Sequence, residues 1–248
     1  MTDLLLYELR DGVALLRMNR TEKHNAFNRD LSLAVCEAID AAEADDDARV
    51  IVLTGAGRAF CAGADMTEAL ASMDAGGRSD VMAQAVVRVA RVAKPVIGAI
   101  NGYAFGGGAA LACACDIRIA SERASFRFPG ASYGLVVSGS QLPRIVGIPK
   151  AKELIFTARI VEAAEAERIG LVNQLVPHDE LDAAAWELAR QIAEQSPPAV
   201  RWSKAVIDAT TMIEQAVELE FEANRTLRGS TDHVSRFRAA TERVAKGE

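Results

Sequence analysis

Two stretches of this chain are built to one plan, and that plan restricts the fold more than any other feature. Residues 50–66 read VIVLTGAGRAFCAGADM and residues 95–111 read PVIGAINGYAFGGGAAL. Each is a run of β-branched and aliphatic residues, then a glycine-punctuated loop, then the start of a helix. Continuous apolar runs of this length suit strands buried on both faces, which belong to α/β folds with helices covering a sheet. The glycines let backbone approach backbone, and each loop offers unpaired N–H groups beside the positive end of a helix. Two such ends brought together supply two donors for one oxygen atom, an oxyanion hole.

The rest of the chain fits that plan. Strands are expected at Leu4–Arg10, Val13–Asn19, Arg49–Thr54, Pro95–Ile100, Asp116–Ala120 and Ser125–Phe128. Asn28 is placed to N-cap a helix, and further helices are expected over 79–93 and 108–115. Beyond residue 139 strand signals fade and helical periodicity covers 150–157, 162–169, 180–195, 198–210, 213–228 and 232–246. The SPP break at 196–198 divides an α/β core, 1–195, from a helical region, 196–248.

Composition excludes several classes. A formal charge of −6 argues against general nucleic-acid binding. No apolar run approaches the about 18–20 residues that cross a bilayer, and Leu4–Leu6 gives way at once to Glu8 and Arg10, so neither a membrane span nor a signal peptide is expected and the site of action is expected to be cytoplasmic. The four cysteines, Cys36, Cys61, Cys113 and Cys115, are spaced unlike a redox or zinc pair, so no metal is expected.

Four local motifs carry competing readings. GAGRAF at 55–60 starts like a dinucleotide fingerprint but has Phe60 where the third glycine belongs. GASYG at 130–134 is a literal G-x-S-x-G around Ser132, and a serine hydrolase can be assembled from it with Asp179 or Asp208 and His233. The following LVVSGSQLP does not open into the helix that a nucleophile elbow requires. His178 and His233 sit in polar contexts and are expected at the surface. Asp65 and Glu68, spaced D-x-x-E at a helix start, form a capping box, with direct catalysis as the alternative. NRTEKHNAFN at 19–28 places His24 in a polar loop with Arg20, Lys23 and the adjoining Arg29 around it, a loop that either is merely solvated or binds a ligand phosphate.

AFCAGADM (59–66) paired with PVIGAINGYAFGGGAALACACDIRIAS (95–121) resembles the crotonase superfamily, the enoyl-CoA hydratase/isomerase family. SFRFPGASYGL (125–135), RIVGIPKAKELIFTARIVEAAEAERIGLVNQLVP (144–177) and SPPAVRWSKAVI (196–207) extend the likeness over nearly the whole chain. The resemblance implies a spiral of ββα repeats with C-terminal helices that build a homotrimer or a hexamer. It implies a fatty acyl-coenzyme A thioester as substrate or ligand, no separate cofactor, and the backbone N–H groups of Ala64 and Gly107 as oxyanion donors. It further implies coenzyme and substrate contacts at Lys23, His24, Ala26, Ala62, Asp65, Met66, Phe105, Gly106, Phe128 and Pro129.

The chain departs from that family where its acid–base chemistry resides. The two glutamates of the hydratases correspond to Ala110 and Gly130, and the aspartate of isomerising relatives corresponds to Ser138. A positioned acid or base contributes about 10²–10⁴ in rate, so hydration should be feeble. Replacement groups to consider are Asp65, Glu68, Tyr133, Ser138 and Arg127; the other reading is a protein that binds fatty acyl-CoA without turning it over. Phe126 and Phe128 are expected to share the side of Gly130 and line a widened cavity.

Overall fold

The structure, a computed structural model, describes residues 3–74, 81–211 and 214–245. The first strands, β1 (Leu5–Arg10) and β2 (Val13–Met18), form an antiparallel hairpin, and Asn28 caps α1 (Arg29–Ala44) by accepting the Leu31 amide. Next come β3 (Val50–Gly55), β4 (Ala59–Cys61), α2 (Met66–Asp74) and α3 (Val81–Arg91). The second copy of the plan supplies β5 (Val96–Ile100), β6 (Tyr103–Phe105) and α4 (Gly107–Ala114), and β7 (Ile117–Ser121) with β8 (Ser125–Arg127) follows.

The repeats explain the sheets. In each, the first strand joins a six-stranded sheet ordered β1-β2-β3-β5-β7-β10, closed by β10 (Gln174–Val176), and the second joins a four-stranded sheet ordered β4-β6-β8-β9, closed by β9 (Ile160–Glu162). From β2 onward the large sheet is parallel. Its central strands β3 and β5 are buried along their whole length, as their uninterrupted apolar runs require. One core fills the space between this sheet, α1, α3, α4 and the small sheet, with Phe60, Leu111, Phe126 and Phe128 among its members. A second, made by Val13, Val50, Ile97 and Ile119, is covered by Leu181, Ala185 and Ala189.

The second half contains α5 (Leu142–Val146), α6 (Ile148–Thr157), β9 (Ile160–Glu162), α7 (Ala163–Arg168), β10 (Gln174–Val176), α8 (Leu181–Ala193), α9 (Pro197–Thr211), α10 (Glu214–Leu227) and α11 (Thr231–Ala245). The expected helix starts at 79 and 213, and the end at 246, lie outside the described residues. Beyond residue 139 the chain still adds two strands of three residues each. The last two helices lie against the chain's own core: Asn224 donates to Val136 O at 2.6 Å and accepts the Val136 amide at 3.0 Å, and His233 Nδ1 lies 2.7 Å from Tyr133 O. His233 is therefore buried, not at the surface as its polar flanks suggested, because α11 packs on the turn at 131–133. His178 is partly buried, its Nδ1 2.9 Å from Ser121 Oγ. No helix among the described residues is long and apolar enough to cross a membrane.

Candidate active site

The two glycine loops meet. Phe27 forms a single parallel bridge with Ala64: its amide donates to Gly63 O at 2.7 Å and its carbonyl accepts from Asp65 N at 2.8 Å. Because alternate peptide groups of an extended chain point to opposite sides, the Ala64 N–H is turned away from Phe27. No acceptor for it, or for the Gly107 N–H at the first residue of α4, occurs among the described residues. A Cβ built on Gly63 would lie 3.6 Å from the Gly107 nitrogen. The Ala64 nitrogen, two bonds from that same Cα, is then within about 7 Å of it.

Two glycines make this approach feasible. Gly106 turns the chain into α4 at φ 55°, ψ −118°, a region closed to residues with a Cβ. Gly108 packs α4 against β4 so tightly that a Cβ would stand 2.0 Å from Cys61 O. Cys61 itself is buried, which pushes its thiol up to about 12 despite the amide of Gly63 beside it. Burial likewise lifts Cys113 to about 11 and Cys115 to about 12, so these three thiols stay protonated at neutral pH.

Both amides border a cavity of about 690 Å³. The expected contacts Lys23, His24, Ala26, Ala62, Asp65, Met66, Phe105, Gly106 and Pro129 all line it, as do Ala110, Gly130 and Ser138. Phe128 does not. It and Phe126 are fully buried in the core, and Arg127 faces the cavity instead, its Nε donating to Ala158 O at 2.8 Å. The alternation that was to align them with Gly130 ends before it, since Gly130 has helical dihedrals of −48° and −51°. Sequence reasoning missed the opposite wall: Met82, Val86 and Ala90 from α3, Val136 and Val137, and Phe221 and Phe237 from the terminal helices. The helical spacing of 82, 86 and 90 was the available signal; nothing local marks Phe221 or Phe237.

Among the described residues, the carboxylates that line the cavity are Glu22 and Asp65. Burial alone would raise the Asp65 carboxyl, but the Arg20 guanidinium and the amides of Glu68 and Thr67 outweigh it and hold the group below the usual range. Its Oδ2 lies 2.7 Å from Arg20 Nη1 and its Oδ1 accepts from Thr67 N and Glu68 N. Half of the expected capping box is thus present. Glu68 does not return the bond to Asp65; it accepts the Arg29 amide at the start of α1. Ser132 is exposed on the turn at 131–133, and His233 spends Nδ1 on Tyr133 O while Nε2 has no partner among the described residues, so the two are not paired. Asp208 is held by Arg144 at 3.4 Å. Among the described residues no cluster of metal-ligating side chains occurs.

Residues 8–246 match the profile of the enoyl-CoA hydratase/isomerase family. The chain belongs to that family. Relatives include a short-chain-enoyl-CoA hydratase of Clostridium acetobutylicum, 39% identical over 225 residues covering 88% of this chain and 86% of the other. A crotonyl-CoA hydratase of Syntrophomonas wolfei is 38% identical over 228 residues, covering 88% and 87%. The fold superposes on the crystal structure of an enoyl-CoA hydratase/isomerase from Xanthobacter autotrophicus with a TM-score of 0.88 at 32% identity, covering 98% of this chain and 94% of that one. The α/β architecture expected of the crotonase superfamily is therefore present.

Proposed function

We propose that this family member holds a fatty acyl-CoA thioester, its carbonyl oxygen between the Ala64 and Gly107 amides, without the acid–base pair that hydrates an enoyl thioester. The observation that carries the reading is the pair of free amides on a largely apolar cavity whose positions 110, 130 and 138 hold alanine, glycine and serine. Lys23 and His24, exposed at the rim, suit the coenzyme's phosphates, and the wall from α3 to Phe237 suits an acyl chain. No separate cofactor takes part, and the protein acts in the cytoplasm.

Among the replacement groups, Asp65 is engaged by Arg20 and Glu68 by Arg29, which leaves Tyr133, Ser138 and Arg127 on the wall. Tyr133 is the acid that a second reading, slow enoyl-CoA turnover, would use. The two readings separate in one experiment: calorimetric binding of octanoyl-CoA beside turnover of crotonyl-CoA and longer enoyl-CoAs. Binding without turnover supports the first, and slow but measurable turnover of any of the enoyl-CoAs supports the second.

The protein assembles as a homotrimer or a hexamer of two trimers. Support comes from Trp202, Val206 and Ile207 on α9 and Phe156 on α6, large apolar side chains 62–73% exposed in the single chain. Light scattering of the purified protein tests it.

A further inference from the structure

Two buried asparagines, one ahead of the first glycine repeat and one inside the second, converge on a single carbonyl. Asn25 Nδ2 donates to Ala59 O at 2.8 Å, and Asn101 Nδ2 donates to the same oxygen at 3.2 Å. Both amides are used further on the turn that precedes β4. Asn25 Nδ2 also donates to Ala56 O, and its Oδ1 accepts the Arg20 amide; Asn101 Nδ2 also donates to Gly57 O, and its Oδ1 accepts the Gly55 amide. The backbone yields to make room for this. Asn25 sits at φ +56°, a left-handed conformation that asparagine tolerates better than most residues. A Cβ on Gly55 would lie 2.7 Å from Asn25 Nδ2, and one on Gly102 would lie 2.0 Å from Arg58 O.

The carbonyl they share is the common origin of both glycine loops. From Ala59 the chain runs through β4 to the Ala64 amide, and from Asn101 it runs through β6 to the Gly107 amide. The ladder between these arms is a weak ruler, because β4 has three residues and its register against β6 shifts between Ala59 and Cys61. Such an irregularity disrupts the ladder locally, and the side-chain bonds supply the fixed point that it lacks. Neither asparagine lines the cavity, so each acts on a ligand only through the backbone.

We propose that Asn25 and Asn101 are positioning residues that hold Ala59 O from two sides and so set the spacing of the Ala64 and Gly107 amides, letting both N–H groups reach one thioester oxygen. This rests on the acyl-CoA reading above. Donors aimed at one oxygen are effective only when the surrounding bonds fix them in place beforehand.

The test is calorimetric titration of the full chain with octanoyl-CoA and with S-octyl-CoA, the thioether that lacks the carbonyl oxygen. The parent is expected to bind the thioester about tenfold tighter, the worth of one net hydrogen bond. Asn101→Ala should bring that ratio close to one while keeping the affinity for S-octyl-CoA. Asn25→Gly, whose backbone suits the left-handed region, should lower the same ratio, and it carries the test where Asn101→Ala does not fold. A lowered denaturation midpoint with the parent's ratio intact confines both asparagines to a structural role and overturns the assignment, while the acyl-CoA reading stands. Equal affinities of the two ligands in the parent, or failure of both to bind, overturns that reading and this inference with it.

Discussion

Arg20 Nη1 sits 2.7 Å from Asp65 Oδ2, and the same nitrogen donates to Ala26 O at 3.0 Å, so one guanidinium ties the basic loop to the segment that carries the Ala64 amide. Both side chains are largely buried, at 14% and 9% exposure. The bonds from Ala62 N to His24 O and from Phe27 N to Gly63 O complete the same junction. Arg20 therefore positions the segment that carries the Ala64 amide, the first donor of the proposed oxyanion pair. Arg20→Met leaves a partly buried carboxylate unpaired and should cost about 2–4 kcal/mol, read as a fall in the denaturant midpoint, with weaker acyl-CoA binding even where the protein remains folded. Loss of stability with unchanged affinity would confine Arg20 to a structural role.

The same pair sets a pH dependence. Asp65 is held below its ordinary value, so the folded state keeps it ionised where the unfolded chain begins to take up a proton. Its contribution is fully present above the ordinary carboxylate range and is lost as pH falls through the lowered value. Chemical denaturation followed from pH 6 to pH 3 should show the parent losing stability more steeply than Asp65→Asn, with the difference confined to acid pH. Parallel curves would contradict it.

Two neighbouring glycines should respond unequally to one methyl group. On Gly107 a Cβ meets the flexible Met82 side chain first, which can swing aside; on Gly108 it meets Cys61 O at 2.0 Å, backbone that cannot. Gly108→Ala should destabilise the fold by about 3 kcal/mol or more, and Gly107→Ala by less than about 1.5 kcal/mol. Thermal denaturation of the two proteins decides it.

Restoring the absent carboxylates should likewise be asymmetric. Ala110 lines the cavity, and a glutamate there extends into open space, whereas a Cβ on Gly130 meets Leu135 O at 2.9 Å and Val137 N at 3.0 Å. Ala110→Glu should fold normally and raise crotonyl-CoA hydration by about 10²-fold. Gly130→Glu must push back the segment that Asn224 clamps, and should lower the melting temperature. A Gly130→Glu protein as stable as the parent would show that the segment yields easily.

Much of this was legible in the residues, for physical reasons. Long apolar runs announced β3 and β5, and the two glycine loops announced that backbone meets backbone near 64 and 107. Asn28 capped the helix its side chain suits. Strands of three residues, β4, β6, β9 and β10, are too short to show a period, and they exist because neighbouring strands supply their hydrogen bonds. The error over Phe126 and Phe128 was one of face: along β8 and the residue after it the two phenyl rings took the core and Arg127 the cavity. Burial of His233, and the contribution of Phe221 and Phe237 to the wall, come from packing between segments about 100 residues apart, which no local pattern encodes.

The most direct measurement is the carbonyl stretch of a thioester labelled with carbon-13 at C1, recorded by isotope-edited infrared difference spectroscopy of the bound octanoyl-CoA. Two amides converging on the oxygen weaken the C=O bond, so the band should move to lower frequency on binding and move back in part in Gly107→Pro, which removes one N–H. A band at its solution frequency in the bound complex would contradict the oxyanion hole itself.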